Sequence, residues 1–280
     1  MNRDASGTLY LVGTPIGNLD DLSPRARDIL GAVDLIAAED TRRTRGLLSS
    51  IGVSCAVTSY QEHNETEATP KLVERLRAGE SIALVSDAGT PCISDPGWRL
   101  VRAAREADVA VLSVPGPSAV VAALTVCGLP TDRFVFEGFL PRRAGPRRER
   151  LACLRAETRT MVFYESVHRL EQTLVALEAE FGVDRPAAIA RELTKLHEQT
   201  RHGTLGELRE QLGAALPLKG EFVVLVAGNR QPVGGSEAEA ERIFELLSRE
   251  LPPKRAVALA AEITGLTRNQ VYRITRVAER

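Results

Sequence analysis

The chain has 280 residues, 44% hydrophobic and 26% charged, with a formal net charge of −1. That is an ordinary soluble composition with enough apolar material for a sizeable core, and its charge does not by itself call for a nucleic-acid partner. Aromatic residues make up only 4%, which argues against a surface that stacks bases on several rings.

Residues 8–12 read as an apolar strand running into Gly13-Thr14-Pro15-Ile16-Gly17-Asn18. A helix is predicted from Ser23, with Pro24 at the first helical position, where a missing N–H costs nothing. A second strand, 35–38, ends in Glu39-Asp40-Thr41-Arg42-Arg43, and a helix runs to residue 50. Residues 53–60 read as a third strand, and polar residues 61–69 lead to a helix over 71–78. The fourth strand, 82–85, carries the richest loop of the chain, Ser86-Asp87-Ala88-Gly89-Thr90-Pro91-Cys92-Ile93-Ser94-Asp95-Pro96-Gly97. Trp98, Val101 and Ala104 then recur at helical spacing. A fifth strand, 109–114, ends in Pro115-Gly116-Pro117-Ser118. Strand–helix alternation of this kind predicts an α/β layer with mostly parallel strands.

The pattern then restarts. Ser118 is expected to cap a helix through residue 126, and strands are predicted over 134–139, 160–164, 187–191 and 222–227. A basic connector, 142–150, precedes a short helix. Further helices are predicted over 170–181 and 205–212, with a polar stretch over 192–202. Residues 231–236 read as a linker. Beyond it, helices over 237–249 and 253–264 precede a last helix that Thr267 caps, with Gln270 completing a capping box. The predicted architecture is therefore α/β: two α/β domains, 7–115 and 116–230, with a cleft between them, and a small helix-turn-helix-like piece over 236–280.

Several chemistries are missing. No G-x-G-x-x-G, Walker-type loop, H-E-x-x-H or G-x-S-x-G occurs, which removes the common dehydrogenase, NTPase, metalloprotease and serine-hydrolase readings. Cys55, Cys92, Cys127 and Cys153 form no C-x-x-C and no cluster with histidine, so no metal site is expected. Their spacing predicts reduced, buried thiols and a cytoplasmic protein. Residues 1–7 lack the pattern of a signal peptide. The uncharged stretch 109–131 is long enough to span a membrane, but Pro115-Gly116-Pro117 interrupts it, so a strand, a turn and a helix are expected instead. What remains is a set of strand-end loops rich in Gly, Pro and small hydroxyls, which predicts a polar ligand in the cleft.

These loops carry a resemblance. The motifs are residues 11–19, 38–42, 85–97, 114–119, 136–141 and 163–169, with Arg191-Glu192-Leu193-Thr194-Lys195 and Lys219-Gly220-Glu221-Phe222, all in register. With them the chain resembles the tetrapyrrole methylase superfamily of S-adenosylmethionine-dependent methyltransferases. Within it, the likeness is to the branch that methylates a cytidine 2′-oxygen in 16S ribosomal RNA. The resemblance implies a homodimer with S-adenosyl-L-methionine in the cleft and the 16S rRNA or small ribosomal subunit as partner. It places cofactor contacts at Pro15, Gly89, Thr90, Ile93, Ser94, Ser118, Ala119, Tyr164, Ala190 and Glu221; Asp87 joins them as an acid in the same loop. Tetrapyrrole-modifying members carry G-D-P where this chain reads Gly89-Thr90-Pro91, which favours the RNA branch.

Glu165, His168 and Lys195 are candidates to accept a proton, Lys195 could instead hold a phosphate, and a structural ion pair is the commoner role for each such residue. Arg42, Arg43, Arg142, Arg143, Arg147, Arg148 and Arg169 are candidate RNA contacts, because guanidinium forks match phosphate. Two alternatives stay open: a methyltransferase for a small tetrapyrrole, and a non-catalytic RNA-binding assembly factor.

Overall fold

The structure is a computed structural model and describes residues 7–229 and 237–275; the expected linker 231–236 lies outside them. The first half alternates β1 (Thr8–Val12), α1 (Pro24–Ala32), β2 (Leu35–Ala38), α2 (Thr41–Ser50), β3 (Val57–Ser59), α3 (Glu65–Arg77), β4 (Ile82–Val85), α4 (Trp98–Glu106) and β5 (Ala110–Val114). Its five strands are all parallel, in the order β3-β2-β4-β1-β5. The inner strands β2 and β4 are unbroken apolar runs, buried at every residue because both faces are covered. Ile82 and Leu84 pack towards Leu72, Leu76 and Leu100, whereas Ala83 and Val85 pack towards Ala26, Leu30 and Leu48. After β1 the chain crosses to β2, and after β4 it crosses the other way to β5. The adjacent strands β1 and β4 thus diverge at their carboxyl ends, where an open α/β sheet leaves a crevice.

The second half holds α5 (Ala119–Val126), β6 (Phe134–Phe139), α6 (Ala144–Cys153), β7 (Thr160–Ser166), α7 (Leu170–Phe181), β8 (Pro186–Arg191), β9 (Gln199–Thr204), α8 (Leu205–Glu210) and β10 (Glu221–Val226). Here the order is β6-β7-β10-β8-β9, and only the β6–β7 pair is parallel. The expected parallel layer is therefore correct for the first sheet and not for the second. Its missed strand is β9, Gln-Thr-Arg-His-Gly-Thr, an edge strand whose polar sequence shows no apolar alternation. The helix expected from residue 71 starts at Glu65 and carries Pro70 inside it. The basic connector is itself largely helical, as α6. Ser118 sits at the N-cap of α5 but makes no side-chain capping bond. The stretch 109–131 divides into β5 and α5, and no helix among the described residues is long and apolar enough to cross a membrane. All four cysteines are free thiols, but only Cys127 is buried, and Cys153 is exposed.

Both sheets belong to one compact unit; the C-terminal helices, with Ala152–Arg159, belong to a second. In that second unit, α9 (Glu237–Leu247), α10 (Pro253–Thr264) and α11 (Arg268–Thr275) close on Val257, Ala260, Ala261 and Val271. The expected capping box is present: the Thr267 N–H donates to Gln270 Oε1 at 2.8 Å, and the Gln270 N–H donates to Thr267 Oγ1 at 3.3 Å.

Within the α/β unit, the ends of β1 and β5 come closest at Gly13 and Gly116. A Cβ on Gly13 would lie 2.7 Å from Gly116 Cα and 2.9 Å from its nitrogen, and backbone cannot swing aside. Gly13→Ala is expected to cost about 1–3 kcal/mol, the typical price of overpacking. Urea unfolding measures it, and a variant as stable as wild type would show that the two loops have room to part.

Candidate functional site

The loops after β1 and β4 are tied by backbone. The Thr14 N–H donates to the Gly89 carbonyl at 2.9 Å, and the Gly89 N–H returns to the Thr14 carbonyl at 3.0 Å. Gly89 has φ of +84°, which glycine adopts without strain. Thr90 Oγ1 donates to the Pro117 carbonyl at 3.2 Å, so the loop after β4 also holds the loop after β5. Cys92 and Ser94 are non-glycine residues in the left-handed region, at φ of 72° and 64°. Such conformations cost about 1–3 kcal/mol each and persist only where surrounding structure imposes them.

A cavity of about 460 Å³ opens over these loops, within the size range of small-molecule sites. From the first half it is lined by Ile16, Glu39, Arg43, residues 87–90 and residues 93–95. From the second half come Ser118, Ala119, Phe139, residues 164–167, Ala190, Leu193 and residues 220–223. The predicted cofactor contacts Asp87, Gly89, Thr90, Ile93, Ser94, Ser118, Ala119, Tyr164, Ala190 and Glu221 all line it; Pro15 does not, and its neighbour Ile16 does.

The lining is acidic, and its carboxylates differ in what engages them. Asp87 accepts from the Asp40 N–H at 2.9 Å and pairs with Arg43 at 3.2 Å. Glu39 accepts from the Asp87 N–H at 3.2 Å, and burial raises its pKa. Glu165 is saturated: it accepts from the Ser166 N–H at 2.8 Å and from Thr173 Oγ1 at 2.6 Å, with Arg169 at 3.5 Å. Glu221 pairs with Lys195 at 2.9 Å. Asp95 lines the cavity and has no cationic partner among the described residues. Burial, then the charge of Glu39, pushes its pKa up to about 6. Burial, and after it Asp95, pushes Tyr164 up to about 12.

Of the expected proton acceptors, Glu165 is committed to Ser166, Thr173 and Arg169. His168 is exposed and does not line the cavity. Lys195 donates to Glu192 and Glu221, each at 2.9 Å. Burial lowers its pKa, but these hydrogen bonds outweigh burial and the net shift is upward, against the condition for a lysine base. Nothing in the sequence Ser-Asp-Pro-Gly distinguishes an acid that faces a cavity from one that turns a chain.

The arginines also separate. Arg147 is buried, so it leaves the exposed set that sequence assigned to RNA. Arg169 is largely enclosed and donates to the Leu140 carbonyl at 2.7 Å, which makes it a tie between loops. Arg42 pairs with Asp40, the N-cap of α2, and Arg148 faces Glu180 at 3.9 Å. Arg142 and Arg143 are exposed and make no ion pair among the described residues.

Residues 8–209 match the family described as Tetrapyrrole (Corrin/Porphyrin) Methylases. The chain belongs to the tetrapyrrole methylase family. Residues 234–275 match the RsmI C-terminal HTH domain. The tetrapyrrole methylase fold returns among solved structures. A cobalt precorrin-4 methyltransferase has a TM-score of 0.58 at 20% identity, over 81% of this chain and 97% of its own. Uroporphyrin-III C-methyltransferase from Thermus thermophilus, complexed with S-adenosyl homocysteine, has a TM-score of 0.54 at 20% identity, over 78% and 97%. Closer relatives are named ribosomal RNA small subunit methyltransferase I. That of Xylella fastidiosa (strain Temecula1) is 51% identical, over 95% of this chain and 98% of its own. That of Pseudomonas aeruginosa is 49% identical, over 96% of each chain.

Asp95 also makes stability depend on pH. Its acid form favours the folded state, because its folded value near 6 exceeds the model-peptide value of about 4. That contribution is complete below about pH 4 and is lost as pH rises through about 6. Asp95→Asn is expected to abolish the loss, so its stability relative to wild type should grow across that window in urea unfolding. A constant difference would mean that Asp95 titrates alike in the folded and unfolded chain.

Proposed function

We propose that the protein transfers a methyl group from S-adenosylmethionine to the 2′-oxygen of a cytidine ribose in 16S ribosomal RNA. The observation that carries this reading is the 51% identity over nearly the full length of a relative named ribosomal RNA small subunit methyltransferase I. The solved structures share the fold at 20% identity, which is no argument for a tetrapyrrole substrate.

The cavity suits the cofactor by charge as well as by size. S-adenosylmethionine has a permanently cationic sulfonium, and Glu39, Asp87, Asp95, Glu165 and Glu221 surround the space with Arg43 as the cation in the lining. In this reading Gly89, Thr90, Ile93 and Ser94 hold the cofactor from the loop after β4, Asp87 adds charge, and Pro15 sets the course of Ile16. Ser118 and Ala119 present the start of α5, and Tyr164, Ala190 and Glu221 close the far side. Bound there, the cofactor supplies an activated methyl group. The protein's task is then to orient the hydroxyl, and orientation of a reacting pair is worth about 7–11 kcal/mol.

RNA phosphates would meet Arg142 and Arg143 first, with Arg42, Arg43 and Arg148 exchanging their carboxylate partners for phosphate. A second copy of the chain is the proposed protein partner. Edge strand β5 and helix α5 expose Leu112, Val121 and Val126, an uncharged surface that pairing would cover. Sedimentation as a monomer at micromolar concentration would remove the dimer from this proposal. A cytoplasmic location accords with a ribosomal substrate.

The deciding experiment is methyl transfer from labelled cofactor to small subunits lacking the modification, followed by nucleoside mapping. Label in 2′-O-methylcytidine is expected; label on a base would sink the ribose assignment, and no cofactor binding at millimolar concentration would favour a non-catalytic role. The logarithm of RNA affinity should fall with the logarithm of salt at about −0.7 per neutralised phosphate. Replacing Arg142 and Arg143 by Ala should make that slope shallower by about 1.4 if each contacts one phosphate. An unchanged slope would take both residues off the RNA path.

A further inference from the structure

One aromatic ring of the cavity lining stands open. Phe139 is 57% exposed, whereas Phe222 of the same lining is buried and Tyr164 half-buried. In a regular strand Phe136 and Phe139, three residues apart, would face opposite sides of the sheet. A bulge in β6 removes that alternation: Phe136 pairs with Val162 of β7, the register skips Glu137, and Phe139 pairs with Tyr164. Both phenylalanines thus share a face, and both rings meet Tyr164 edge-to-face, with centroids 4.9 and 5.5 Å away. The bulge is fixed from two sides. Gly138 has φ of +62°, and a Cβ on it would lie 2.9 Å from Ser94 Oγ of the loop after β4. Glu137 accepts from Arg150 Nε at 2.7 Å and from Arg150 Nη2 at 2.9 Å.

We propose that Phe139 stacks against the base of the nucleotide that becomes methylated, holding that base out of the RNA stack while its ribose enters the cavity. The inference rests on the methyl transfer to RNA proposed above. Enzymes that modify a base reach it by turning the nucleotide out of its stack and hold it against aromatic or apolar side chains. A ribose hydroxyl that must enter a cavity of about 460 Å³ poses the same problem. Every base has a π-face, so one open ring is enough to hold one base. Scarcity of aromatic residues excludes a platform of several rings and leaves room for a single stack.

Two observations favour an RNA base as the occupant. Phe139 runs directly into Leu140-Pro141-Arg142-Arg143, and both arginines are exposed and make no ion pair among the described residues. Three residues of chain span at most about 11 Å, so a nucleotide stacked on the ring lies within reach of the Arg142 guanidinium, which suits its phosphate. Phe139 also ends β6, the edge strand of the second sheet, whereas the loops proposed to hold the cofactor follow β4 and β5 of the first. The ring therefore stands at the margin of the cavity where a large substrate can approach, with its exposed surface uncovered by the protein's own core.

The test compares wild type, Phe139→Ala and Phe139→Tyr in methyl transfer to small subunits lacking the modification, in calorimetric binding of S-adenosylhomocysteine and in sedimentation. Loss of one base–aromatic stack predicts a rise of about 5- to 150-fold in the KM of Phe139→Ala for subunits. Its S-adenosylhomocysteine affinity should match wild type. Phe139→Tyr keeps the ring and should recover most of the loss. A wild-type KM in Phe139→Ala overturns the assignment, and so does a Phe139→Tyr protein as impaired as Phe139→Ala. A drop in S-adenosylhomocysteine affinity that matches the rise in KM would give the ring to the cofactor. A Phe139→Ala protein that sediments as a smaller species than wild type would give it to a second copy of the chain. Either result overturns the proposal. Failure of the underlying reading shows separately, as wild-type label on a base or no label at all.

Discussion

Two backbone hydrogen bonds between Thr14 and Gly89 hold the site together. They join the loops of two adjacent strands that leave the sheet in opposite directions, at the point where a parallel sheet opens a crevice. Gly89 can make this bridge because its backbone is left-handed, and Thr14 reinforces it by donating its hydroxyl to the Ser86 carbonyl at 3.2 Å. From there the loop after β4 reaches the loop after β5 through Thr90, and Ile16 packs into the core of the second sheet. One local bridge thereby relates the two sheets across the cavity.

Charge is distributed around that bridge with a division of labour. Asp40 caps α2 and Asp87 fixes the Asp40 backbone, so these acids build the wall. Glu165 likewise accepts from Thr173 of α7 and faces Arg169, whose guanidinium donates to the Leu140 carbonyl. Saturated carboxylates of this kind hold structure, and the same donors make them poor proton acceptors. Asp95 differs in having no cationic partner among the described residues, and burial, then the charge of Glu39, raises its pKa. A half-buried acid without a cation costs stability when it is ionised.

The two sheets solve different problems. The first is wholly parallel and supplies loops at one end, as strand-end binding requires. The second is mostly antiparallel and offers the cavity Tyr164 and Ala190, cross-strand partners of Val223 on adjacent strands. Antiparallel pairing sets neighbouring residues of three strands on one wall, which successive loops of a parallel sheet cannot do.

Much of this was legible in the sequence. Strand–helix alternation, apolar runs bounded by Gly and Pro, and strand-end loops specify an α/β architecture and the loops over which its cavity opens, because periodicity and turn chemistry are local properties. The polar edge strand β9 left no such trace, and neither did the start of α3, since Pro70 reads as a breaker until tertiary packing overrides it. Which residues remain chemically available was decided only in three dimensions. Arg147 in a basic run proved buried, Glu165 in a conspicuous loop proved saturated, and Asp95 in an unremarkable turn was left without a cation among the described residues. Sequence states what a side chain can donate or accept; only the fold determines which of those capacities its neighbours have already used.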